Sequence, residues 1–338
     1  MEWPGSNPHS KPTLIGGSSR SGKTVLALAL GETTGPVAAF PLEAVFHTYH
    51  RRRFPFFKTQ RRRIVWEYLN RPRYITGDRS ETASPKDYMG PLTDQLVANI
   101  PSSITNQISL LGWVLDQFSE NQGCITWAAF DLHPEFFYEA YRKFIPNLRL
   151  AIMYRDPYSA IAAGVFWRSW PKAPPDRQNR FRLMLLLWHL SKTVSESLTE
   201  KYPAAVARFS FNRLCDGDKA EYSRLATFFP VKTVEIEKSF NFVPHFSFHK
   251  ERGFLSPTGK WENLLTMREI EEINDLEKGI VAGSFIRSLL KYGPQAPELT
   301  RQLLDAYLYP TKTFYRRLNS IKQLMTDARA GVRLHLRK

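Results

Sequence analysis

The sequence predicts an α/β fold: a three-layer sandwich with a mainly parallel central sheet and a P-loop after the first strand. Two observations carry this. Short apolar runs near 12–16, 36–40, 124–129, 149–154 and 205–210 read as strands, and helical stretches separate them. Such alternation implies parallel strands covered on both faces. In addition, Gly16 to Thr24 follows the apolar Thr13-Leu14-Ile15 and precedes Val25-Leu26-Ala27-Leu28-Ala29-Leu30, which writes strand, glycine turn and helix in order. Further along, Thr93 to Glu120 reads as a broken amphipathic helix pair. Asn179 to Lys201 reads as one long helix, with Leu183, Leu186, Leu187 and Leu190 on a buried stripe. Arg71 to Pro91, rich in Pro, Gly, Ser and Thr, is expected to form a mobile loop over the site, and Pro171 to Pro175 an exposed linker. The expected organisation is a flexible N-terminus (1–11), one domain (12–293) and a basic helical extension (294–338) packed on it or mediating self-association.

The chain of 338 residues carries a formal charge of +15, from 47 basic and 32 acidic residues, which points to an anionic ligand. Two triplets, Arg51-Arg52-Arg53 and Arg61-Arg62-Arg63, concentrate that excess, with Phe54, Phe56, Phe57 and Trp66 interleaved. They fit a solvated helix face or a rim drawing in an anionic cofactor better than a single-stranded nucleic-acid surface, so nucleic acid is not an expected partner. Cys124 and Cys215 are the two cysteines, too few for a disulfide framework, and no secretory signal or run of about 18 apolar residues occurs. A cytoplasmic protein without a membrane span is expected. A metal site is not, because His47 and His50 lack cysteine or spaced carboxylate partners.

Gly17-x4-Gly22-Lys23-Thr24 satisfies the P-loop pattern in its proper context. Small residues let backbone N–H groups converge on phosphate oxygens, the helix N-terminus adds partial positive charge, and Arg20 and Lys23 supply cations. The expected anion-binding set is therefore Gly17, Ser18, Ser19, Arg20, Ser21, Gly22, Lys23 and Thr24.

Four segments in order resemble those of a known family. Arg155-Asp156-Pro157, at the end of Leu148 to Tyr154, resembles the "R-D-P" segment of the PAPS-dependent sulfotransferases, PAPS being 3′-phosphoadenosine 5′-phosphosulfate. Ser18-Ser19-Arg20-Ser21-Gly22 is similar to the bacterial form of that family's 5′-phosphosulfate loop. Phe211-Asn212-Arg213-Leu214 with Tyr222 to Phe229 resembles its "Y-E-D-L" turn and following helix, and Gly259 to Thr266 its C-terminal "G-x-W-x-N-x-x-T" segment.

The resemblance implies a sulfotransferase that moves a sulfuryl group from PAPS to a hydroxyl or amine of a small molecule, lipid or sugar, a glycolipid included. It implies 5′ binding by the Gly17–Thr24 loop and 3′-phosphate binding by Arg155 with Arg252 and Gly253, while Trp261 either stacks on adenine or fills the core. Ala163 stands where the family usually has serine, with Ser159 one helical turn earlier, and Lys23 replaces the family's first loop threonine. Both departures lean toward the alternative, an ATP- or GTP-dependent kinase with magnesium on the same fold. Arg20 and Lys23 are the expected charge-neutralising groups in catalysis. Three residues are candidate bases. Glu43 resembles an acid that some bacterial members place after the second strand, and His133 resembles the family's catalytic histidine. Asp131 is the third, unless it orients His133 or caps the helix starting at Pro134. A solvated His133 at a helix start, and a Glu43 paired with nearby arginines, are the non-catalytic alternatives.

Overall fold

The computed structural model describes residues 10–46, 58–71, 73–74, 82–90, 92–165, 177–242 and 261–278. Seven strands occur among them: β1 (Thr13–Gly16), β2 (Val37–Phe40), β3 (Arg73–Tyr74), β4 (Thr82–Ala83), β5 (Thr126–Phe130), β6 (Arg149–Tyr154) and β7 (Val206–Ser210). Five form one parallel sheet in the order β2-β5-β1-β6-β7, with Leu14 opposite both Ala129 and Leu150. The described residues of Met1–Arg155 and Ser195–Thr258 make one compact unit, which holds this sheet. Those of Asp156–Val194 and Gly259–Lys338 make a second.

Strand alternation sorts the core of the first unit into two layers. Ile15, Ala128, Phe130, Ala151, Met153 and Phe209 point to one face, where they meet Leu26, Ala27 and Leu30 of the Lys23–Gly31 helix, Tyr222 and Leu225 of Lys219–Phe228, and Ile236 and Phe240 of Thr233–Phe242. The opposite face is covered by the Gln107–Asn121 helix. Its Asp116 accepts the Trp127 indole N–H at 2.8 Å, and its Phe118 packs edge-on against Phe40 at 5.3 Å. Both faces being dry explains why β1 and β5 are buried along their whole length. The three-layer α/β architecture is thus present, and every expected strand of the main sheet falls within two residues of its expected place.

The expected broken pair is found as Leu92–Ala98 and Gln107–Asn121, the second started by Asn106, whose side chain accepts the Ser109 N–H. The long helix is Arg177–Lys201, with Leu186, Leu187 and Leu190 buried as expected. Within Arg71 to Pro91 the described residues include regular structure. β3 and β4 pair antiparallel there, and Lys86–Met89 is helical because Asp87 accepts both the backbone N–H and the hydroxyl of Ser84, contacts that hold its carboxyl below the usual range.

In the second unit, Gly164 of the Pro157–Val165 helix lets Met184 approach within what would be 2.6 Å of a Cβ. Tyr158 stacks on Trp261 at 4.5 Å and donates its hydroxyl to Asn274. Thr266 and Glu269 form a reciprocal cap on the Met267–Glu277 helix, and Arg177 grips the same Glu269 at 2.7 Å. Burial pushes the Glu269 carboxyl up, but Arg177 and the Thr266 N–H together hold it below its ordinary value. Among the described residues, no helix is long and apolar enough to cross a membrane.

Candidate active site

The chain leaves β1 toward β2 on one side of the sheet and leaves β6 toward β7 on the other, so the carboxyl ends of the adjacent β1 and β6 flank a topological switch point. The Gly17–Thr24 loop follows β1 and Arg155 follows β6. The two meet: an Arg155 Nη1 donates to the Arg20 carbonyl at 3.4 Å, and the Arg155 guanidinium lies 5.3 Å over the Phe211 ring.

The loop turns through three left-handed residues, Gly17 (φ 119°), Arg20 (φ 67°) and Gly22 (φ 93°), before the helix begins at Lys23. Sterics dictate glycine at two of them. A Cβ on Gly17 would sit 2.0 Å from the Met153 carbonyl oxygen, and one on Gly22 would sit 2.0 Å from the Phe211 ring. The helix has no acid in its first turn, so nothing there cancels the positive end of its dipole. Ser18, Ser19 and Ser21 are buried, while Arg20 and Thr24 are half-buried. Ser21 Oγ is fully buried and has no hydrogen-bond partner among the described residues, a cost that an anion oxygen would remove.

Lys23 is buried, and its Nζ donates to the Gly17 carbonyl at 3.1 Å. Desolvation pulls its pKa below the ordinary lysine value, while Glu135, Glu43 and Asp131 pull it back up. The Lys23 ammonium thus lies within electrostatic reach of three carboxylates. Glu43, just past β2, is half-buried and close enough to Lys23 to act on its charge.

His133 is not a solvated helix-start residue. It has no exposed surface, its backbone is left-handed (φ 49°), and its ring stacks on Phe136 at 5.2 Å. Asp131 does not cap the Pro134–Phe136 turn: His133 occupies the cap position without a side-chain cap bond, and Asp131 accepts the Leu132 N–H at 2.7 Å. The residue beside the His133 Nδ1 is Glu135, at 3.0 Å, whose other oxygen accepts the Gly17 N–H at 3.1 Å. Glu135 is the functional candidate missing from the sequence expectations. The His-Pro-Glu spacing at a helix start was its one local signal, and its contact with Gly17 bridges 118 positions.

Tertiary folding therefore brings the loop, Arg155, Glu43, His133, Asp131 and Glu135 together. Ser159 and Trp261 belong to the second unit. There the Ser159 backbone donates to Asp156 at 2.8 Å, and Trp261 is neither core nor open but half-buried against Tyr158. Arg252, Gly253, the first arginine triplet, His47, His50 and the 294–338 extension lie outside the described residues.

No family model matches the sequence, and no curated protein matches it. Solved structures do. A sulfotransferase domain from the curacin biosynthetic pathway superimposes with a TM-score of 0.53 at 16% identity, over 80% of this chain and 99% of that one. The chain has the sulfotransferase fold. A sulfotransferase domain from the Synechococcus PCC 7002 olefin synthase (TM-score 0.46, 15% identity, 82% and 98% covered) is also similar. So is sulfotransferase STF9 from Mycobacterium avium (0.44, 13%, 82% and 78%). In this fold as the chain builds it, the switch point holds the glycine loop, Arg20, Arg155 and a Lys23 within electrostatic reach of Glu43, Asp131 and Glu135.

Proposed function

We propose that the protein transfers a sulfuryl group from PAPS to a hydroxyl or amine of a small-molecule, lipid or sugar acceptor. The observation that supports this most is the unpartnered, buried Ser21 hydroxyl in a loop whose left-handed turns at Gly17 and Gly22 leave no room for a Cβ, beside a second cationic group, Arg155. PAPS, when bound, supplies the activated sulfuryl group. The Ser18–Thr24 amides and hydroxyls would hold its 5′ end, with Arg20 and Lys23 neutralising charge on the leaving phosphate, and Arg155 would grip the 3′-phosphate as a planar fork. Ser159, Trp261, Arg252 and Gly253 are proposed as cofactor residues on the sequence resemblance alone. Of the candidate bases, Glu43 has open surface while His133 has none, so Glu43 is assigned to take the acceptor proton and His133 to support the loop through Glu135.

The test begins with ligand binding. Adenosine 3′,5′-bisphosphate should raise the melting temperature without magnesium, whereas ADP or GDP with magnesium should not. Arg155→Ala should weaken the bisphosphate by about 1.5–3 kcal/mol, the worth of a charge-assisted contact, and unchanged affinity would remove Arg155 from the site. Glu43→Gln should slow single-turnover sulfuryl transfer by about 10²-fold while leaving bisphosphate affinity intact. A variant transferring at full rate would exclude Glu43 as the base.

A further inference from the structure

The glycine loop carries a complete motif of the kind that nucleoside triphosphate enzymes use, yet its interior is arranged differently. Gly17 N–H, a loop donor that would otherwise face an anion, is taken by Glu135 Oε2 at 3.1 Å, and Gly16 lies so close that a Cβ there would be 2.7 Å from the same oxygen. The carboxylate is buried, held on its other side by His133 at 3.0 Å, and with Glu43 and Asp131 is near enough to raise the Lys23 pKa. Lys23 itself turns back to the Gly17 carbonyl. A cradle with a fixed negative charge under it discriminates by ligand charge, because Coulomb terms are large where water is excluded.

We propose that Glu135 is a specificity-determining residue that makes the loop accept a phosphosulfate and reject a di- or triphosphate. A phosphosulfate and a diphosphate have nearly the same shape, but the terminal sulfuryl group bears one negative charge where a terminal phosphate bears up to two. Glu135 penalises that extra charge and withholds the Gly17 N–H that a longer phosphate chain would use. Gly17 N–H donates to one Glu135 oxygen and, in the tautomer protonated at Nδ1, His133 donates to the other, so a carboxylate satisfies both donors and the single oxygen of an amide satisfies one.

This inference rests on the PAPS reading, and its test separates the two. Equilibrium binding of PAPS and of 3′-phosphoadenosine 5′-diphosphate, alike in shape and differing in terminal charge, is compared in wild type, Glu135→Gln and Asp131→Asn. Wild type should prefer PAPS by about tenfold or more, and Glu135→Gln should bring the two to within about threefold. Asp131→Asn removes equal charge near Lys23 without touching Gly17 and should leave most of the preference. If Glu135→Gln keeps the wild-type ratio, or Asp131→Asn abolishes it equally, Glu135 does not set the choice although PAPS still binds. If wild type binds neither nucleotide, the PAPS reading falls and this inference with it. Should Glu135→Gln fail to fold, wild type alone decides: equal affinity for the two nucleotides overturns the proposal, and a preference of the expected size supports it.

Discussion

Lys23→Met is expected to lower sulfuryl transfer by about 10²–10³-fold, the usual loss when one preorganised charge-stabilising group is removed from a water-excluded site. The substitution keeps the aliphatic stem and its packing but deletes an ammonium within electrostatic reach of Glu135, Glu43 and Asp131. Lys23 also has a stability signature. Desolvation holds its folded-state pKa below the ordinary lysine value, so its charge costs the wild-type fold stability in full at neutral pH and less as the pH rises through the folded pKa toward the ordinary lysine range. Wild type should therefore gain stability relative to Lys23→Met between about pH 7 and about pH 10. Denaturant unfolding at these two pH values, beside single-turnover assays, measures both effects. A stability difference that is the same at both would mean that Lys23 is not desolvated in the fold.

Gly17→Ala is expected to cost about 3–5 kcal/mol in unfolding free energy and to abolish adenosine 3′,5′-bisphosphate binding. Two penalties add. At φ 119° an alanine is outside every favourable region, and its Cβ would lie 2.0 Å from the Met153 carbonyl and 2.8 Å from Ser21 Oγ. The first of these is backbone at the end of β6, so relief requires separating β1 from β6 rather than turning a side chain. The displaced amide would also lose Glu135. Urea titration and calorimetric binding check the two outcomes. Wild-type stability in the variant would show that the turn has room the geometry denies.

Much of the fold was legible along the chain because its signals are local. β1, β2, β5, β6 and β7 are short apolar runs, and a strand buried on both faces shows itself by continuous hydrophobicity whatever it pairs with. The glycine loop was equally readable, since left-handed turns at Gly17 and Gly22 demand residues without a Cβ. Within Arg71 to Pro91, composition rich in turn formers leaves unannounced a two-residue ladder and the short Lys86–Met89 helix, since neither is long enough to show a period.

His133 and Glu135 show where local reading stops. A histidine before proline at a turn looks solvent-facing, and burial beneath the loop is set by β1 and β5 lying side by side, across more than a hundred residues of chain. The sequence by itself determined the layer architecture, the anion cradle and the cations that attend it, because those follow from periodicity and from the conformations glycine alone allows. Only the tertiary structure decided which charges face one another. That Lys23 turns back to the Gly17 carbonyl, within electrostatic reach of Glu43, Asp131 and Glu135, depends on contacts between residues that spacing along the chain leaves unrelated.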